Sequence, residues 1–190
     1  DTLRSCGSNP TPATKMHKRV LIVHGLGADS SMHWFPWIKK ELEKRDFHVK
    51  ILNMPENPTP DEWISSIKKA VVRADNNTYF IGHSLGCLAI LEYLEELPAG
   101  EIAGGCILVA GFFEDIGIPE IQEFYDKRLD FDKIKEHAES FSAVLSDNDY
   151  VVPLDKGMQL QKKLKAKLLV EHHKGHFNTQ DGVTELKSVL

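Results

Sequence analysis

Gly82-His83-Ser84-Leu85-Gly86 sets a serine between glycines two positions to either side. The β-rich run Thr78 to Ile81 precedes it and the apolar, helix-forming run Leu85 to Leu97 follows, so it reads as a strand turning sharply into a helix. In such an elbow the serine takes a strained backbone geometry that lifts its Oγ clear of the sheet edge, and a Cβ on either glycine would collide with a neighbouring strand or helix. A serine hydroxyl is a weak nucleophile at its own pKa. It needs a base beside it, and the base needs an orienting acid. The chain supplies both downstream, in the order Ser…Asp…His. The chemistry such a set performs is acyl transfer: Ser84 attacks a carbonyl, a histidine Nε2 takes its proton and passes it to the leaving group, and an aspartate on Nδ1 fixes the tautomer.

Two choices follow. Asp149 precedes Tyr150-Val151-Val152-Pro153, an Asp-x-x-Val-Pro spacing that triad hydrolases commonly show after this strand, whereas Asp147 lies nearer the strand end and is suited to bracing the loop. Asp149 is therefore favoured as the acid. His176, in Gly175-His176-Phe177, follows a glycine that lets its loop swing inward, while His172 and His173 read as strand-end or surface residues. As metal ligands these three histidines lack a carboxylate or cysteine at ligand spacing, so no metal or other cofactor is expected. The oxyanion of the acyl intermediate is expected to meet the backbone N–H groups of Leu85 and of Leu26, the latter in His24-Gly25-Leu26-Gly27. His24 and His83 adjoin these donors and are either substrate contacts or histidines bonded to their own loops. Trp34 and Trp37 are either helix-to-sheet packing or a wall of the acyl pocket, and Phe112 is a further pocket candidate.

Six strands are expected to position these residues: Arg19 to Val23, Phe47 to Leu52, the elbow strand from Thr78, Cys106 to Val109, Phe141 to Leu145 and Lys167 to Glu171. Helices alternate with them. One runs from Pro36 to about Arg45. The next starts at Thr59-Pro60 with Glu62 completing a capping box, carries Trp63, Ile64, Ile67, Ala70, Val71 and Ala74 at helical spacing, and ends at Asp75-Asn76-Asn77. Then come the elbow helix, Asp132 to Glu139, Leu154 to Leu164, and a last helix from about Gly182. This alternation predicts a three-layer α/β/α sandwich on a doubly wound parallel sheet. In such sheets ligands lie beyond the carboxyl ends of the strands, where His24 to Gly27, Ser84, Asp149 and His176 all fall. Residues 112 to 131 are too long for a simple connection and too aromatic to be merely solvated, and read as a small lid beside Ser84.

The 190 residues suffice for one domain with a full core, and a net charge of −5 without a basic stripe argues against nucleic acid or an anionic membrane as partner. No apolar run reaches the ~18 residues of a membrane span. Of the three cysteines, Cys6, Cys87 and Cys106, the last two fall in an apolar helix and strand and suit buried small hydrophobes better than a disulfide framework, which favours a reducing, cytoplasmic setting. Residues 1–15 are polar and aperiodic and read as an appendage to a domain starting near Met16.

Several stretches go beyond a general triad pattern: Ser31-Met32-His33-Trp34-Phe35-Pro36-Trp37-Ile38-Lys39-Lys40 after His24-Gly25, Leu52-Asn53-Met54-Pro55, the elbow itself, Asp149 before Pro153, and Gly175-His176-Phe177. In these the chain, from Lys18 onward, resembles the small serine hydrolases that include retinoblastoma-binding protein nine and the bacterial YdeN-type hydrolases, the bacterial branch more closely. The resemblance implies a minimal α/β-hydrolase fold, a triad of Ser84, Asp149 and His176, and esterase-like activity on small acyl substrates. It does not extend to a retinoblastoma-pocket partner: an L-x-C-x-E segment is absent, and the nearest string, Leu85-Gly86-Cys87-Leu88-Ala89, lacks the acid. The expected activity is hydrolysis of small esters or thioesters through an acyl-enzyme. An aminopeptidase or amidase would share the triad. A binding protein on the same scaffold would be favoured by an aromatic lid closed over Ser84.

Overall fold

A computed structural model of the protein describes residues 18–190. The expectations for residues 1–15, Met16 and Cys6 lie outside the described residues. Six strands form one parallel sheet: β1 (Arg19–Val23), β2 (His48–Leu52), β3 (Thr78–His83), β4 (Gly105–Val109), β5 (Phe141–Ser146) and β6 (Lys167–Glu171), in the order β2-β1-β3-β4-β5-β6. Five helices connect them: α1 (Phe35–Glu43), α2 (Pro60–Val71), α3 (Leu85–Glu95), α4 (Phe131–Glu136) and α5 (Leu154–Leu164).

The two-residue alternation of the strands sorts their side chains onto two cores. Leu21, Val23, Phe80, Cys106, Leu108 and Ala143 face one layer, with Trp63, Ile64 and Ile67 of α2, the buried α3, Ile134 of α4 and Leu160 of α5. Val20, Ile22, Ile81, Val109 and Val144 face the other, with Phe35, Ile38 and Leu42 of α1 and with Phe177, Val183, Leu186 and Val189 near the C-terminus. Apolar residues on both faces are what a parallel sheet covered on both sides requires. The chain reverses its winding between β1 and β3, whose register sets Val23 beside Gly82, and a crevice opens there at the carboxyl ends.

Four expectations change. The helix expected from about Gly182 does not form: Gly182, left-handed (φ 74°), closes the 3-10 turn Thr179–Asp181 that Asn178 and Asp181 cap reciprocally, and the chain after it holds only the 3-10 turn Lys187–Val189. Helix α2 stops at Val71, because Val72 turns left-handed (φ 62°), three residues short of Ala74. Thr59 Oγ1 accepts from Glu62 N at 3.4 Å, one half of a capping box. Finally, the segment read as a lid invests its apolar side chains in the core. Phe112, Ile121, Phe124 and Leu129 are buried in the layer of α2 and α3, Phe124 against the Trp63 ring at 6.0 Å, and no residue of the segment lines the cleft beside Ser84.

Candidate active site

Ser84 links β3 to α3 with φ 52° and ψ −122°, a conformation a side chain rarely adopts. Its N–H donates to Val109 O of β4 at 2.9 Å, and its carbonyl accepts from Cys87 N at 2.9 Å, so the turn is pinned from both sides. The flanking glycines have no room for more. A Cβ on Gly82 would lie 2.8 Å from Cys87 Cα, one on Gly86 2.2 Å from Val23 O, and one on Gly25 2.9 Å from Ser84 Cβ. The elbow thus sits wedged against the end of β1 and the loop that follows it. The N–H of Leu85, first in α3, and that of Leu26 across the crevice have no acceptor among the described residues. Ser84 Oγ likewise makes no hydrogen bond among the described residues.

His176 and Asp149 reach the crevice from the loops after β6 and β5. His176 Nδ1 lies 2.9 Å from Asp149 Oδ2 and 3.1 Å from Oδ1, and the side chains are only 11% and 2% exposed. The Val151 and Val152 N–H groups hold Asp149 Oδ1 at 2.8 and 2.9 Å, as a turn after Asp-x-x-Val-Pro allows. With Nδ1–H committed to a carboxylate, His176 Nε2 is the free acceptor. Three further contacts lock the two loops together: His173 N donates to Asp147 Oδ1 (2.8 Å), Lys174 N to Ser146 Oγ (3.1 Å) and Gly175 N to Asn148 Oδ1 (2.8 Å). Four consecutive residues of one loop therefore hold four consecutive residues of the other. Asp147 spends its second oxygen on His172 Nδ1 at 2.6 Å, an exposed pair remote from Asp149's task, and these hydrogen bonds hold its carboxyl below the usual range.

Ser84 and His176 line one cleft of about 540 Å³, together with Gly25 to Ala28, Met32, His33, His83 and Asn178 to Gln180. Leu26, the expected oxyanion donor, lines this cleft, and of the expected pocket residues only His83 does. Its Nε2–H donates to the His176 carbonyl at 2.9 Å, its Nδ1 is buried without a partner, and burial together with the His176 charge holds its pKa well below the ordinary value. The others belong elsewhere. His24 is buried and spends both nitrogens on backbone, donating from Nδ1 to Gly25 O (2.8 Å) and accepting Met54 N–H on Nε2 (3.0 Å), so it braces its own loop. Trp34 is fully buried in the α1 layer with Nε1 donating to Phe177 O at 3.1 Å, and Trp37 packs in the same layer. Phe112 is core. The Cys87 thiol lies beneath the elbow, raised by burial and donating to Val109 O at 3.4 Å.

Met32, His33, Asn178, Thr179 and Gln180 are cleft residues that were not anticipated. Only the Met32-His33 part of the Ser31-to-Lys40 stretch carried any sequence signal, and it carried family resemblance without a role. Among the described residues no three His, Cys, Asp or Glu side chains are grouped to hold a metal, and no helix is long and apolar enough to cross a membrane.

The family model described as serine hydrolase matches residues 20–190. The chain is 37% identical to YdeN of Bacillus subtilis over 177 residues, 92% of this chain and 93% of that protein. It is 28% identical to the serine hydrolase RBBP9 of Rattus norvegicus over 182 residues, covering 91% and 95%. The crystal structure of the B. subtilis ydeN gene product superposes with a TM-score of 0.87 over 90% of this chain and 94% of that one. Est1E from Butyrivibrio proteoclasticus, 16% identical, superposes with a TM-score of 0.69 over 86% and 81%, a likeness of fold alone. An elbow serine, a buried carboxylate–imidazole pair and these relatives agree, and the chain belongs to the serine hydrolase family.

Proposed function

We propose that the protein hydrolyses small carboxylic esters or thioesters through an acyl-enzyme on Ser84, with His176 as base and acid and Asp149 as its orienting carboxylate. The observation that carries this reading is the buried Asp149–His176 pair, 2.9 Å apart, facing the same cleft as a serine strained to φ 52°. In the first half-reaction Ser84 Oγ bonds to the substrate carbonyl carbon while its proton passes to His176 Nε2. Negative charge then develops on the carbonyl oxygen, which the unpartnered N–H groups of Leu26 and Leu85 suit, each such donor contributing about a hundredfold to a thousandfold in rate. His176 returns the proton to the leaving oxygen or sulfur as that bond breaks, and Asp149 offsets the imidazolium charge meanwhile. In the second half water replaces the alcohol, and the same proton relay releases the acid and Ser84. Among the described residues the resting hydroxyl is free of competing partners; contacts of this kind tighten when substrate arrives. Because Phe112, Ile121 and Phe124 are buried in the core, no aromatic side chain of the 112 to 131 segment covers the cleft, which supports a catalytic over a purely binding role.

The test is a fluorophosphonate probe followed by ester turnover. Wild-type protein should be labelled on Ser84, and Ser84→Ala should lose the label together with about four to six orders of magnitude in kcat/KM. Undiminished labelling of the alanine variant would overturn the assignment.

A further inference from the structure

His33 is a cleft residue that the mechanism leaves unused. It opens the turn into α1 with φ 55°, a left-handed conformation, and its contacts hold it there. His33 N donates to Thr179 Oγ1 (3.2 Å), Thr179 N donates to His33 Nδ1 (3.1 Å), and the Thr179 hydroxyl lies 3.2 Å from the same nitrogen. A backbone N–H can only donate, so Nδ1 is an acceptor and the proton of the neutral ring is on Nε2. Burial and the neighbouring His176 hold the His33 pKa below its usual value, which keeps the ring neutral. Nε2–H has no partner among the described residues and is not sealed from solvent, although its ring lines the Ser84 cleft.

The position says which part of a substrate it meets. His176 must hand its proton to the leaving oxygen, so the alcohol portion lies on the His176 side. Thr179, which clasps His33, is three residues beyond His176 on that same wall. Among the described residues the cleft lining contains no Lys, Arg, Asp or Glu, and Gln180 adds an exposed carboxamide without a hydrogen bond among them. That is a surface for an uncharged group rich in acceptor oxygens.

We propose, resting on the acyl-enzyme reading above, that His33 Nε2–H donates to an acceptor oxygen in the leaving alcohol. The preferred substrates are then esters of uncharged, oxygen-bearing alcohols (ethers and diols) over esters of plain alkanols of the same length.

The isosteric pair 2-methoxyethyl acetate and n-butyl acetate tests it, each followed by acid release. The wild-type ratio of kcat/KM, divided by the ratio for hydroxide hydrolysis, should favour the methoxyethyl ester by about five- to tenfold, the worth of one hydrogen bond. His33→Asn keeps an acceptor near Nδ1, and so the Thr179 clasp, but cannot reach the cleft with a donor; it should lose the preference. His33→Gln carries an N–H₂ near the Nε2 position and should retain most of it. A wild-type ratio equal to the hydroxide ratio, or Asn and Gln variants that behave alike while both are labelled on Ser84, would overturn the role of His33. Failure of the wild-type protein to take the fluorophosphonate label would instead overturn the acyl-enzyme reading, and this proposal with it.

Discussion

Asp149 and Asp147 leave the same strand two residues apart, and their surroundings assign them different work. Asp149 is sealed at 2% side-chain exposure with two backbone N–H groups on one oxygen, so its charge is held in place to face His176 Nδ1. Asp147 pairs with His172, whose side chain is 78% exposed, and solvent screens such a surface pair so that it contributes little. Asp149→Ala is therefore expected to lower kcat by about 10⁴-fold and Asp147→Ala by less than about tenfold. Steady-state kinetics giving the reverse order would move the acid to Asp147. Gly175 is the second test at this scale. It sits at φ 51°, and a Cβ there would come within 2.3 Å of the Asp181 carboxylate, the group that accepts the His176 N–H at 2.7 Å. Gly175→Ala should therefore displace Asp181, loosen the His176 backbone and reduce kcat by about ten- to a hundredfold while circular dichroism stays native.

At the scale of elements, the loop after β5 serves as a template for the loop after β6. Asn148 shows this most simply, because its Oδ1 bridges Ser146 Oγ at 2.9 Å and Gly175 N at 2.8 Å. Asn148→Ala removes both bonds without touching the Asp149–His176 pair. Fluorophosphonate labelling of Ser84 should slow by about tenfold while the thermal midpoint moves by only a few degrees; an unchanged labelling rate would mean the template is not needed to place His176. What the sequence made legible follows the range of the interactions involved. The strands, the elbow and the Asp-x-x-Val-Pro turn are written in neighbouring residues, so their periods and spacings could be read directly. The wall of the cleft was not legible, because it is made by His33 meeting Thr179, 146 positions away, and neither residue is unusual in its own neighbourhood. The same limit explains the misread segment 112 to 131. Its aromatic content is visible locally, but whether Phe124 faces Ser84 or Trp63 depends on how α2 lies on the sheet. Gly182 did carry a local warning, a glycine suited to ending a turn, and it ends the one that Asn178 and Asp181 cap at its start.

Over the whole molecule, burial sets stability against pH in two opposing ways. His24, His33 and His83 are all held below the ordinary histidine value of 6.5, chiefly by burial. Folded protein therefore binds fewer protons than unfolded protein just below pH 6.5, and stability falls as the medium is acidified through that value. Glu92 of α3 acts with the opposite sign. It is 4% exposed, its Oε2 has no hydrogen-bond partner, and burial raises its carboxyl from 4.5 to about 8, with Glu95, Glu96 and Asp61 adding to the rise and Lys127 opposing it. Between pH 4.5 and 8 the native state keeps a proton that the unfolded chain releases, so this group removes stability as pH rises, at up to about 1.4 kcal/mol per pH unit. Below 6.5 the histidines oppose the carboxyl; well above it, toward pH 8, the carboxyl's effect remains. The thermal midpoint at constant ionic strength should therefore decline from about pH 6.5 toward pH 8. Glu92→Gln keeps the shape of the protonated acid, so it should leave the midpoint at pH 4.5 unchanged and remove the decline above 6.5, stabilising the protein at pH 8 by an amount on the order of a few kcal/mol. A variant that still declined above pH 6.5 as steeply as the wild type would place the retained proton on some group other than Glu92.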